Sequence, residues 1–185
     1  LLLKILGAGA ACMPAFWFFL KDYQKSRLTV FLDPNVDPLG AGYHIIQSKI
    51  AIGSGQLFGK GLFAGSQSQL NFLPENHTDF IFAVIGEELG FIGSIVILAL
   101  YFLLLYRGVK TAQNARDKFG ALLAAGITSM MAFHVMVNIG MTIGIMPVTG
   151  IPLPFMSYGV SALTTNLISV GILLNIQSRQ QKLMF

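Results

Sequence analysis

Acidic residues are scarce in this 185-residue chain, so the few that border apolar runs are where chemistry is most readily placed. The first is Asp79, in Leu73-Pro74-Glu75-Asn76-His77-Thr78-Asp79-Phe80, where a polar stretch gives way to an apolar one. A partly desolvated carboxylate at such a boundary can act as a general base. Glu75 and His77 beside it allow a coupled acidic site or a cation ligand. The same position also suits a helix cap, because Thr78 or Asp79 can accept from free backbone N–H groups and negative charge is favoured at a helix N-terminus. By position alone, capping is the better reading.

Glu87 and Glu88 are the second candidates. In a continuous span beginning near Phe80 they lie about 12 Å below its start, at roughly 1.5 Å per residue. An acid inside a membrane is a functional hypothesis by default. The competing reading is an ion pair with a Lys or Arg from a helix missing from this segment, and the two weigh equally. His134, Asn138 and Thr142 share one helical face, which reads as interhelical hydrogen bonding. Thr164, Thr165, Asn166, Ser169 and Asn175 read the same way. The fifteen Phe and eight Met are packing or lipid-facing residues. No phosphate-binding glycine loop and no His/Cys metal spacing is present, and Cys12 is the sole cysteine, so no intrachain disulfide can form.

The elements that must position these groups are membrane helices. Hydrophobic residues make up 54% of the chain and charged residues 11%, less than half the roughly 25% usual in soluble domains. Between Phe119 and Ser178 there is no Asp, Glu, Lys or Arg, a stretch long enough for two crossings at roughly 20 residues each. Four spans follow, at about 1–20, 80–106, 119–143 and 158–177. The first carries Pro14, which should kink it. The chain opens at Leu1 within an apolar run, without Met or a signal-peptide pattern, and reads as a fragment of a longer protein. Three prolines and a glycine between Met146 and Pro154 forbid a regular helix, yet the segment is too apolar for a solvated loop. It is expected to dip back toward the membrane and line a protein surface or watery cavity.

Arg107, Lys110, Arg116 and Lys118 follow the second span, and Arg179 and Lys182 follow the fourth. The positive-inside rule puts this loop and the C-terminus in the cytoplasm and the loop at about 21–79 outside, although Lys21, Lys25 and Arg27 oppose it. The net charge of +4 bears on topology and gives no reason to expect a nucleic-acid partner. Within the outer loop, Tyr43, Ile46 and Ile50 lie on one face of a short interfacial helix. Gly53, Gly55, Gly59 and Gly61 then allow sharp turns or close backbone approach.

Three stretches carry a resemblance. Gln47-Ser48-Lys49-Ile50-Ala51-Ile52-Gly53-Ser54-Gly55, the run from Leu73 to Gly90 containing His77-Thr78-Asp79-Phe80 and Gly86-Glu87-Glu88-Leu89-Gly90, and Pro152-Leu153-Pro154-Phe155-Met156-Ser157-Tyr158-Gly159 follow one another in order. They resemble the SEDS family of lipid-linked peptidoglycan glycosyltransferases. Pro152 and Tyr43-His44-Ile45-Ile46 are similar to its rod-shape (RodA-like) branch. Val160 departs from the family, where a second glycine is usual.

The resemblance implies an all-α polytopic bundle of about ten membrane helices, of which these are the last four and form the C-terminal half. It implies polymerisation of lipid II on the outer face of the bacterial inner membrane, for elongation and rod shape, with undecaprenyl pyrophosphate released. The essential acid of the family maps onto Asp79, which displaces the capping reading. Gln47, Ser48, Lys49, Lys60, Glu75 and His77 become candidate substrate contacts; Glu87, Glu88, Ser157 and Tyr158 become membrane-embedded residues of functional or structural role. No resident cofactor is implied, and a divalent cation is the alternative to Lys49 and Lys60 at the pyrophosphate. The implied partners are lipid II, an undecaprenyl-linked glycan, a class B penicillin-binding protein (a transpeptidase) and other elongation-complex membrane proteins. A lipid II flippase and a non-catalytic scaffold are the competing functions.

Overall fold

A computed structural model describes residues 20–33, 36–37, 40–69, 72 and 77–179, and among these every regular element is helical. They are α1 (Asp22–Leu32), α2 (Ala41–Ser54), the single turn α3 (Ser66–Gln69), α4 (Ile81–Gln113), α5 (Lys118–Thr142) and α6 (Val160–Ser178). The expected span at 1–20 lies outside the described residues, apart from its last position. The last three helices are long and apolar enough to cross a membrane, which agrees with the other three expected spans.

One boundary needs correction. The second span continues as helix to Gln113, so Arg107 and Lys110 lie in its last turns rather than in a loop, and the connection to α5 is only 114–117. Basic residues suit a helix C-terminus, where they face exposed carbonyls. Helix α5 starts sharply because the Asp117 carboxylate accepts from Gly120 N–H at 2.9 Å. α4 and α5 pack antiparallel, with Gly108 of α4 leaving no room for a Cβ against Thr128 of α5. Tyr101 and Val135 share a buried cluster one layer further along.

The larger departure is inside α4. Gly90 has φ 67° and ψ −162°, which breaks the helix into Ile81–Leu89 and a longer second part. The two halves fold toward each other. Phe82 and Gly86 line one 270 Å³ cavity with Ser94 and Leu98, although an unbroken helix would hold Phe82 and Leu98 about 24 Å apart. A break leaves carbonyls at one end and N–H groups at the other without helical partners. One loop supplies both sets. Lys60 and Gly61 N–H groups donate to the carbonyls of Glu87 and Glu88 at 3.0 Å each. Phe91 and Ile92 N–H groups donate to the carbonyls of Gln56 and Leu57 at 2.9 and 3.2 Å. This approach requires glycine at position 59, where a Cβ would sit 2.1 Å from the Glu88 carbonyl oxygen and φ is +78°.

The region expected as a loop with one short helix therefore carries two substantial helices. α2 packs into the bundle through a different face from the Tyr43–Ile46–Ile50 face expected to lie in the outer interface. Ile50 is 46% exposed, whereas Ile45, Ser48 and Ala51 are buried against α4 and α5. The reason is size: Ser48, Ala51 and Gly55 let backbones approach, and a Cβ at Gly55 would collide with the Gly86 carbonyl. The segment after α5 re-enters as expected. Leu153 and Pro154 are fully buried, and Tyr101 donates to the Pro154 carbonyl at 2.5 Å.

Candidate active site

Asp79 lies just ahead of α4, whose N-cap residue is Phe80, so neither Thr78 nor Asp79 occupies the cap position. Three successive carbonyls leading into the helix are each held from elsewhere in the chain. Tyr158 N–H donates to His77 O at 2.8 Å, Ser157 Oγ donates to Thr78 O at 2.6 Å, and Asn138 Nδ2 donates to Asp79 O at 2.9 Å. Asn138 also donates to Ile151 O at 2.8 Å, and Leu153 N–H donates to Ser157 Oγ at 2.8 Å. The strand of chain before α4 is thereby stitched to the re-entrant segment after α5.

The half-buried Asp79 carboxylate faces that re-entrant segment. A Cβ added at Gly150, whose φ is +74°, would lie 3.2 Å from Asp79 Oδ2. Through Asn138, Asp79 is level with a point four residues inside the end of α5, about 6 Å at the helical rise. Gly86 and Gly90 line a cavity with Ile139 and Ile143, at that same end of α5. The break therefore overturns the expectation that Glu87 lies about 12 Å deeper than Asp79. An apolar cavity of about 610 Å³ opens beside the acid's segment, lined by His77, Ile81, Phe155, Ser157, Tyr158 and Leu163. His77 and Tyr158 are exposed at this cavity, while Ser157 is nearly buried and its hydroxyl is engaged in the stitch.

The remaining candidates divide. Glu87 is completely buried and is paired with Lys60 of this same chain, Nζ to Oε1 2.8 Å, where the sequence reading looked to another helix. Gln67 N–H at 3.0 Å and Ser66 Oγ at 3.3 Å also donate to this oxygen. Lys60 further contacts Ser66 Oγ at 2.8 Å, so its ammonium is engaged here and not directed at Asp79. Glu88 is half-buried, and its carbonyl belongs to the capping loop. Ser48 is fully buried and donates to Thr142 O at 2.7 Å, fastening α2 to the end of α5. Gln47, one position away, is half-buried, and its Oε1 has no partner among the described residues. Lys49 is exposed and lies over Gly144, at the beginning of the re-entrant segment. Glu75 lies outside the described residues.

Sequence reasoning missed Arg27. From α1 its Nη1 donates to Val148 O at 3.1 Å, two residues from the glycine that faces Asp79. In sequence it was visible only as an awkward charge for topology, because 121 positions separate it from its acceptor. Lys49, Arg27 and Asp79 thus approach one short run of chain, at Gly144, Val148 and Gly150. Two cations and a carboxylate along one backbone can hold an anionic group while a neighbouring hydroxyl loses its proton. Among the described residues, no three of His, Cys, Asp and Glu converge so as to hold a metal ion.

Comparison with known proteins sets this geometry in context. The family model FTSW_RODA_SPOVE, described as cell cycle protein, matches residues 1–182. The peptidoglycan glycosyltransferase MrdB of Escherichia coli K12 is 55% identical over 175 residues, covering 94% of this chain and 47% of that protein. The peptidoglycan glycosyltransferase RodA of Treponema pallidum is 51% identical over 161 residues, 87% of this chain and 37% of the relative. The chain spans about half the length of the E. coli relative or less of these curated proteins. A chain of a solved peptidoglycan synthase complex, studied for the structural coordination of polymerization and crosslinking, superposes with a TM-score of 0.74 at 34% identity. That match covers 98% of this chain and 50% of the other.

Proposed function

The chain belongs to the FtsW/RodA/SpoVE family of cell cycle proteins, and from that premise we propose that it forms the catalytic half of a peptidoglycan glycosyltransferase that polymerises lipid II. The observation that carries this reading is the Asp79 carboxylate, fixed against Gly150 beside an apolar cavity of about 610 Å³. A lipid-linked sugar needs both features: a base for the attacking hydroxyl and an apolar path for the lipid.

In this mechanism Asp79 takes the proton of the 4-hydroxyl of one lipid II sugar. The oxygen attacks the anomeric carbon of the lipid-linked strand, the bond from that carbon to the pyrophosphate oxygen breaks, and undecaprenyl pyrophosphate departs with the electron pair. The proton remains on Asp79 until it is released to water. Charge develops on the leaving pyrophosphate and needs positive groups beside it. Lys49 and Arg27 are better placed for this than Lys60, whose ammonium is held by Glu87. A divalent cation remains the alternative source of that charge. His77 and Tyr158, exposed at the cavity, contact the substrate there.

The basic residues at the joined ends of α4 and α5 support a cytoplasmic placement of those ends, with Asp79 working on the outer face. The kinship to a complex that coordinates polymerization with crosslinking supports a class B penicillin-binding protein as the partner. A lipid II transporter is the competing function, and it would centre its key acid in the membrane. Asp79 is instead level with Asn138, about 12 Å along α5 from the middle of that helix.

The test is polymerisation of purified lipid II by the full-length protein with its transpeptidase partner, comparing wild type with Asp79→Asn and Asp79→Ala. Long glycan strands from wild type and none from either variant, with the complex intact, is the expected result. Equal product from all three would remove Asp79 from the chemistry.

A further inference from the structure

A general base is useful only if its carboxylate points at the proton it removes, and that direction begins at the backbone of the residue that carries it. The direction of the Cα–Cβ bond follows from φ and ψ at residue 79. Those angles are set by the two peptide planes that flank the residue, since each plane is itself rigid. The plane before Asp79 carries the Thr78 carbonyl, and the plane after it carries the Asp79 carbonyl. Each is held by one side chain: Ser157 Oγ at 2.6 Å and Asn138 Nδ2 at 2.9 Å.

We propose that Asn138, acting with Ser157, is a positioning residue for the reaction: it fixes the peptide plane that aims the Asp79 carboxylate across Gly150. This rests on the reading of Asp79 as the base.

Three observations separate this from the ordinary interhelical hydrogen bonding that the sequence suggested. Asn138 uses its amide on the non-helical backbone of two segments, at Asp79 and Ile151, rather than on another helix. These acceptors are 59 and 13 positions away, so the bonds join the acid's segment to the surface it faces. Asn138 is completely buried and its Oδ1 has no partner among the described residues. A buried amide oxygen without a partner is unfavourable. An arrangement that directs the nitrogen to two carbonyls and leaves the oxygen unfilled is explained by the need for those two bonds. Ser157 completes the device by accepting from Leu153 N–H while donating to Thr78 O, so the same re-entrant segment holds both planes.

The experiment uses the full-length protein with its transpeptidase partner and purified lipid II, measuring kcat, KM, thermal midpoint and recovery of the complex. Asn138→Leu keeps the side-chain volume and removes both donors; Ser157→Ala removes the other hold with a smaller change. Thr128→Val, at a buried position on α5 ten residues and about 15 Å along the helix from Asn138, serves as the control and should keep wild-type kcat. A displacement near 1 Å can cost on the order of 10²-fold in rate. We therefore expect kcat to fall roughly 10- to 100-fold in the Asn138 and Ser157 variants, with KM within about twofold of wild type and the complex intact. Wild-type kcat in a folded Asn138→Leu or Ser157→Ala protein would overturn the proposal. So would a loss of activity that only tracks loss of folded protein in Ser157→Ala. If instead Asp79→Asn polymerises normally, the reading of Asp79 fails, a result distinguishable from failure of the clamp alone.

Discussion

A carboxylate with no solvent exposure keeps its charge only where charge and hydrogen bonds meet it, and Glu87 has both, from Lys60, Ser66 and Gln67. Removing one member of a buried pair is costly because the other is left uncompensated, whereas removing both costs far less. Lys60→Met should therefore destabilise the full-length protein by about 3 kcal/mol, read from thermal unfolding in detergent. Lys60→Met combined with Glu87→Gln should recover much of that loss and retain polymerisation, since the pair is structural. A stable but inactive double variant would return Lys60 to the substrate. The sequence located Glu87 as a buried acid but not its partner. Twenty-seven positions separate the two, and no periodicity reports where the chain between them returns.

The broken helix shows what hydropathy can and cannot reveal about an element. The apolar run from Leu89 to Tyr106 marks a membrane span correctly, yet Gly90 lies within it without announcing a break. Glycine is frequent in membrane helices, so a single one carries little information. The stronger signal was the neighbouring Gly53, Gly55, Gly59 and Gly61, which pointed to close backbone approach without naming the surface approached. Gly59→Ala places a carbon 2.1 Å from the Glu88 carbonyl oxygen, and that backbone cannot swing aside without losing the capping bonds. We expect lower recovery of folded protein and faster amide hydrogen exchange at Phe91 and Ile92. Unchanged protection at those two amides would show that the loop caps the break less tightly than the geometry implies. The face by which α2 packs into the bundle was illegible for a related reason, since close packing here selects small residues such as Ser48 and Ala51 over large apolar ones.

For the molecule as a whole, the span-forming windows of α4, α5 and α6 are only 22%, 33% and 22% buried, so lipid or further helices must cover the remainder. The curated relatives run to about twice this length or more. The 185-residue segment expressed alone should accordingly fail to give a monodisperse species in detergent, and co-expression with the rest of the protein should restore one on size exclusion. A stable, monodisperse segment would show that this half folds independently. The double-ended cap also dictates where inheritance can change the length of the chain. Gln56 and Leu57 are registered on Phe91 and Ile92, while Lys60 and Gly61 are registered on Glu87 and Glu88, with two residues between the pairs. An insertion or deletion within 57–60 shifts one register relative to the other and uncaps one end of the break. Ser66 and Gln67, held on Glu87, extend that constraint as far as α3, so a reporter peptide inserted at Phe58 should abolish folding, whereas one in the 114–117 connection between α4 and α5 should be accommodated.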